Sequence, residues 1–215
     1  MHRFLDYIER LFSKSCALST FRVLAGLILT CCSLVYPLIP ANASPYKVAA
    51  VTFDPAWGEV DANISRLIDA SNQAADQGAK LIVYPEMATT GYIFDDLKMI
   101  KPFLDTIPGK TTNALSQVTK KRHVFVSVGI AEIDVSSGLA FNSVALIGPE
   151  GYIGKYRKVG LNSQDQHWAT QGNLGFPVFD TSIGRITMLI CYDDTYWQYS
   201  RSVSYTHLRA HETLR

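Results

Sequence analysis

Between Tyr46 and Ile190 the apolar residues fall in short runs suited to strands, and helical spacing takes over in two places. Tyr46–Phe53 is rich in β-forming residues and stops at Asp54-Pro55, which predicts a strand. Ile64, Leu67, Ile68, Ser71 and Ala75 then recur on one helical face, so a helix capped by Asp61 is expected to run through Gln77 and stop at Gly78. Leu81–Tyr84 is a wholly apolar second strand. Strand, helix, strand in that order is a βαβ unit, with its ligand side at the carboxyl ends of the strands. Phe94–Pro108 has no clear period and reads as a loop with a short helix. A second helix, capped by Thr111 or Thr112, is expected to reach Lys121. Strands over His123–Ala131 and Leu139–Ile147 flank the turn Ser136-Ser137-Gly138, and Pro149-Glu150-Gly151 turns the chain into Tyr152–Tyr156. After a polar loop from Asn162 to Gly175, Pro177–Asp180 and Arg185–Ile190 close the sheet, the latter as a buried strand.

The pattern before Tyr46 differs in kind. Arg3, Arg10, Lys14 and Arg22 precede Val23–Ile39, which carries no charge, and Ala41-Asn42-Ala43 follows as an A-x-A site. Residues 1–43 are therefore expected to be a cleaved signal peptide, with an uncleaved anchor attached through residues 23–39 as the alternative, and the protein to be exported or membrane-anchored. Cleavage would remove Cys16, Cys31 and Cys32 and leave Cys191 without an internal disulfide partner. An odd thiol in an exported protein points to intermolecular pairing or to a reactive group.

Composition adds exclusions. The 215 residues are 47% hydrophobic and 18% charged, with a formal net charge of +1, which suits one globular domain and no disordered chain. Lys and Arg are scattered among Asp and Glu, so nothing points to nucleic acid.

Three chemically capable residues stand at strand ends. Pro85 stops the ladder and holds Glu86 at the end of its strand beside Tyr84, Met87 and Tyr92, a partly buried setting for a carboxylate. Arg157-Lys158 ends another strand. Cys191 falls between a strand and the cap-forming residues Asp193, Asp194 and Thr195, where unpaired N–H groups and a helix dipole would favour the thiolate. The competing reading is that Cys191 is a small buried hydrophobe. His123 is a strand-edge residue on this pattern.

With these residues in place, the chain resembles the nitrilase superfamily of carbon–nitrogen hydrolases. The likeness rests on Leu81–Tyr92 around Glu86, Gly154–Lys158, and Leu189–Asp193 around Cys191, supported by Val48–Phe53 and Leu174–Phe179. It implies a four-layer α-β-β-α sandwich within the α/β class and hydrolysis of a small amide, carbamoyl amine or nitrile through a thioester, with no metal or organic cofactor and with homo-oligomeric assembly. By the resemblance Cys191 is the nucleophile, Glu86 the general base and acid, and Lys158, with Lys155 as its rival, the group that stabilises the oxyanion. The backbone N–H of Tyr192 would assist at the oxyanion. A second acid is implied near Asp165. An inactive or acyl-transferring member of the same fold is the alternative.

Departures from the family pattern concern subfamily and substrate. Gly160 stands where a histidine is frequent, and Tyr196-Trp197-Gln198 replaces a frequent Phe-Pro-Glu. The resemblance covers residues 46–201. Residues 202–215 have neither strand alternation nor an amphipathic stripe, and read as a non-family tail on a truncated, unstable domain.

Overall fold

The computed structural model describes residues 45–204. The N-terminal apolar stretch and nearly all of the tail lie outside them. Among the described residues no helix is long and apolar enough to cross a membrane.

β1 (Lys47–Ala50), β2 (Ala79–Val83), β3 (Phe125–Ile133), β4 (Ala140–Gly148) and β5 (Gly151–Arg157) form one sheet in that order. β1, β2 and β3 are parallel, because helices connect them, while hairpins make β3–β4 and β4–β5 antiparallel. The connecting helices are α1 (Val60–Asp76) and α3 (Lys110–Arg122), with a short α2 (Leu97–Ile100) between β2 and α3. β6 (Val178–Thr181) and β7 (Gly184–Thr187) pair only with each other, and α4 (Trp197–Val203) follows.

Strand alternation sorts the core onto the two faces of the large sheet. Ile82, Val126, Val128, Ala145 and Ile147 face α1 and α3, meeting Leu67 and Leu115. Tyr84 adds a polar pin, its hydroxyl donating to Leu67 O at 2.9 Å and paired with Ser71 Oγ at 2.8 Å. Val144, Leu146 and Tyr156 face the other way and pack with Met188, Ile190, Phe179 and Ile186 under the β6–β7 hairpin. The result is the helix–sheet–sheet order of an α/β sandwich.

Several boundaries differ from expectation. β1 ends at Ala50, although Val51 N–H still donates to Val83 O at 2.9 Å. α1 begins after Glu59, one residue ahead of the expected cap Asp61. α3 begins after Gly109. Its first N–H groups are met by Asp105, which accepts from Lys110 N and Thr111 N, so a distant carboxylate does the work assigned to Thr111 or Thr112. His123 is not a strand residue. It closes α3 in the left-handed conformation, φ +51°, and β3 starts at Phe125.

The largest correction concerns Arg185–Ile190. Only Gly184–Thr187 is strand, half exposed because β6 is its single partner; Met188–Ile190 are extended and mostly buried without a ladder. The helix expected just beyond Thr195 is present as α4, with Tyr196 as its cap. A five-residue 3-10 segment, Cys191–Thr195, intervenes before α4.

Candidate active site

Glu86 leaves the end of β2 on a tight turn. Met87 takes φ +56°, and Ala88 N–H and Gly91 N–H close the turn onto Gly129 O and Met87 O at 3.0 Å each. The turn lies against β3, where a Cβ on Gly129 would fall 2.7 Å from Glu86 Cα and 2.5 Å from Pro85 O. Only a glycine admits that approach, and a glycine inside an apolar strand is the sequence signal for it.

Lys158 continues the β5 register by one residue, its N–H donating to Asn142 O at 2.8 Å. Alternation then decides between the two lysines. Lys158 shares the face of Tyr156, which looks toward the β6–β7 hairpin. Lys155 and Arg157 point the opposite way, onto the buried Glu132. Arg157 holds both carboxylate oxygens of Glu132 at 2.6 and 3.0 Å, Ser143 Oγ donates at 2.6 Å, and Lys155 pairs with it as well. Burial alone would raise the Glu132 pKa, but these donors outweigh it and hold the group below the usual carboxylate range. Lys155 therefore belongs to a satisfied ion cluster behind the sheet and not to the site.

Lys158 is fully buried between two carboxylates. Its Nζ donates to Glu86 Oε1 at 2.5 Å and to Asp165 Oδ2 at 2.6 Å. Burial would lower its pKa, yet the hydrogen bonds to Asp165 and Glu86 raise it well above the ordinary lysine value, so it stays charged. Asp165, 1% exposed, begins a 3-10 turn, Asp165–His167, fixed by Asn162, whose Oδ1 accepts from Asp165 N at 2.9 Å. Asp165 Oδ1 accepts from Asn142 Nδ2 at 3.0 Å and from Tyr92 Oη at 3.2 Å. Burial pushes the Tyr92 phenol up to about 12, so it remains a donor. The second acid expected near position 165 thus meets the same lysine as Glu86.

Cys191 takes φ +45°, a left-handed conformation uncommon outside glycine, at the start of the 3-10 segment. Asp193 holds the segment down. Its carboxylate accepts from Gly160 N at 2.6 Å, Tyr156 Oη at 2.8 Å and Ile190 N at 3.0 Å. Cys191 is exposed and forms no disulfide, and its thiol is hydrogen-bonded to Glu86, which removes the buried-hydrophobe reading. The expected thiolate is also corrected. Partial burial and the Glu86 charge push the Cys191 pKa up, offset in part by Lys158. A short 3-10 turn carries little dipole, and two carboxylates stand against one ammonium. Tyr192, the next residue, lies in the first turn of that segment, where backbone N–H groups lack partners within the turn.

Asn142 was not legible as a site residue. It sits on β4 on the face of Val144, 1% exposed, and its Nδ2 donates to Glu86 Oε1 at 2.6 Å as well as to Asp165. Its only trace in the sequence is an amide within a mostly apolar strand. Asn162 is the other omission, donating to Tyr92 Oη at 2.8 Å. Among the described residues no group of three or more His, Cys, Asp or Glu is arranged to hold a metal ion.

A cavity of about 250 Å³ opens beside these groups, lined by Glu86 and Cys191 and by apolar residues including Val83, Val144, Met188 and Ile190. Residues 47–211 match the carbon–nitrogen hydrolase family. The chain belongs to that family. It is similar to a nitrilase of Pyrococcus abyssi, 37% identical over 148 residues that cover 68% of this chain and 56% of that protein. A protein N-terminal amidase of Schizosaccharomyces pombe is 33% identical over 157 residues, 68% of this chain and 54% of the relative. The chain therefore spans about half the length of these relatives. In fold it is similar to a crystal structure of an amidase from Nesterenkonia sp., with TM-score 0.59 and 18% identity over 72% of this chain and 59% of that one.

Proposed function

We propose that the protein cleaves the carbon–nitrogen bond of a small amide, carbamoyl amine or nitrile through a thioester on Cys191. The observation that carries this reading is the hydrogen bond of Lys158 to Glu86 beside the exposed thiol, on the cavity that both Glu86 and Cys191 line. Because the thiol is held in its neutral form, Glu86 removes its proton as sulfur attacks the substrate carbon. With an amide or carbamoyl amine Glu86 then passes that proton to the departing nitrogen. With a nitrile the proton goes to the thioimidate nitrogen, and ammonia departs only after a first water has added to the carbon. Lys158 and the Tyr192 N–H supply positive charge where the tetrahedral oxygen develops. Water, deprotonated by Glu86, releases the acid.

The test is to mix the protein with a panel of aliphatic amides, carbamoyl amines and nitriles, quench in acid and weigh the intact chain. One acyl group is expected on the Cys191 peptide with at least one substrate class, together with the released acid. Turnover with no adduct under any quench, or an adduct elsewhere, would reject the thioester route.

The lysines separate by role. Lys158→Ala is expected to slow turnover by about 10²-fold or more, since it removes an oxyanion donor and leaves two carboxylates facing one another. Lys155→Ala breaks only one contact of the Glu132 cluster and is expected to change turnover little. Steady-state rates of both variants would expose a reversal, which would move the oxyanion role to Lys155.

A further inference from the structure

We propose that Asn142 is a positioning residue that gives the two oxygens of Glu86 separate tasks, one anchored and one free to move protons. This rests on the reading of Glu86 as the proton carrier. Oε1 accepts from Lys158 Nζ at 2.5 Å and from Asn142 Nδ2 at 2.6 Å. A carboxylate oxygen has two lone-pair sites, so both are in use and Oε1 has no place for a proton. Oε2 is left for the reaction. With an amide or carbamoyl amine it takes the proton from Cys191 Sγ as the S–C bond forms, and gives it to the nitrogen as the C–N bond breaks. In the second half it takes a proton from water as the C–O bond forms, and returns it to Sγ as the S–C bond breaks.

The amide orientation is set by its neighbours. Nδ2 meets Glu86 and Asp165 together, while Oδ1 is buried without a partner. Turning the amide over would aim Oδ1 at two carboxylates. The orphaned acceptor is the lesser penalty, and it persists because both acids need a donor. The Asn142 backbone is fixed as well, its carbonyl accepting from Lys158 N at 2.8 Å. The titratable groups around this amide are Glu86 on the β2 turn, Lys158 after β5, Asp165 and Tyr92 on loops, and Cys191. Glu132, Lys155 and Arg157 lie on the opposite face of the sheet.

Two variants test the assignment. Asn142→Asp keeps the shape, but donates only when its carboxyl is protonated. Its turnover relative to the parent is expected to fall at least tenfold between pH 5.5 and pH 8. Asn142→Ser cannot span both acids and is expected to lose roughly 10–100-fold in kcat with little change in KM, at every pH. A second readout needs no substrate: the pH midpoint for iodoacetamide alkylation of Cys191, followed by peptide mass spectrometry. Freeing Glu86 from its anchor weakens its hold on the thiol, so Asn142→Ser should lower that midpoint toward an ordinary thiol. Parallel pH profiles for Asn142→Asp and parent would overturn the proposal, as would an unchanged alkylation midpoint in Asn142→Ser. If the midpoint moves and the parent hydrolyses none of the panel, the positioning role stands and the proposed function falls.

Discussion

Replacing Cys191 with alanine is expected to abolish turnover, a loss on the order of 10⁴-fold or more, while leaving the fold unchanged. The two halves of this expectation have separate physical origins. Sulfur is the proposed covalent centre, and no other described cysteine can stand in for it. A water attacking directly would still find Glu86, Lys158 and the cavity, so some residual catalysis is allowed, but it cannot reproduce a thioester. The fold half follows from position. The thiol is exposed, and the 3-10 segment is held by Asp193 and not by sulfur, so the substitution creates no cavity. Alanine meets the same left-handed backbone as cysteine does, and the change in stability should stay within about 0.5 kcal/mol. Cys191→Ser should be nearly as inactive, because a hydroxyl ionises far less readily than a thiol. The check is initial rates alongside thermal melts. A folded Cys191→Ala protein that keeps more than about one-hundredth of the parent rate would remove Cys191 from the chemistry.

What could be read from the sequence, and what could not, divides along physical lines. Glu86 and Cys191 follow apolar runs and Lys158 ends a strand, and strand ends are legible because periodicity stops there. The choice of Lys158 over Lys155 came from resemblance. The structure adds its cause, the strict alternation of β5, which turns Tyr156 and Lys158 to one face and Lys155 and Arg157 to the other. Asn142 and Gly129 were missed because their value lies in what faces them across the sheet, from strands far away in sequence. The strand expected over Arg185–Ile190 illustrates the limit of a one-dimensional pattern. An apolar run records burial, and Met188 and Ile190 are buried, but a ladder needs a partner at the right register. The thiolate expectation failed for a related reason. Position between strand and helix was visible, whereas the charges of Glu86 and Asp165 converging on the thiol were not.

That convergence makes Glu86→Gln the most informative change, because its two expected effects have opposite signs. Glutamine is nearly isosteric, and its carbonyl can still accept from Lys158 and Asn142, so Lys158 should keep its place between the side chain and Asp165. What disappears is a negative charge and a basic oxygen. Without the base, neither the thiol proton nor the leaving nitrogen is served, and turnover should fall by about 10²–10⁴-fold, with any thioester that forms persisting because no group activates water. Without the charge, the thiolate becomes easier to form. Glu86 raises the Cys191 pKa and Lys158 lowers it, so removing the carboxylate leaves the lysine's influence less opposed and the thiol pKa should drop. Alkylation of Cys191 by iodoacetamide near neutral pH should therefore quicken in the same protein whose hydrolysis has slowed. A merely destabilised site would lose substrate turnover without a lower thiol pKa. Rates within a few-fold of the parent would take the base role away from Glu86, and an unchanged or higher alkylation midpoint would show that Glu86 does not govern the thiol.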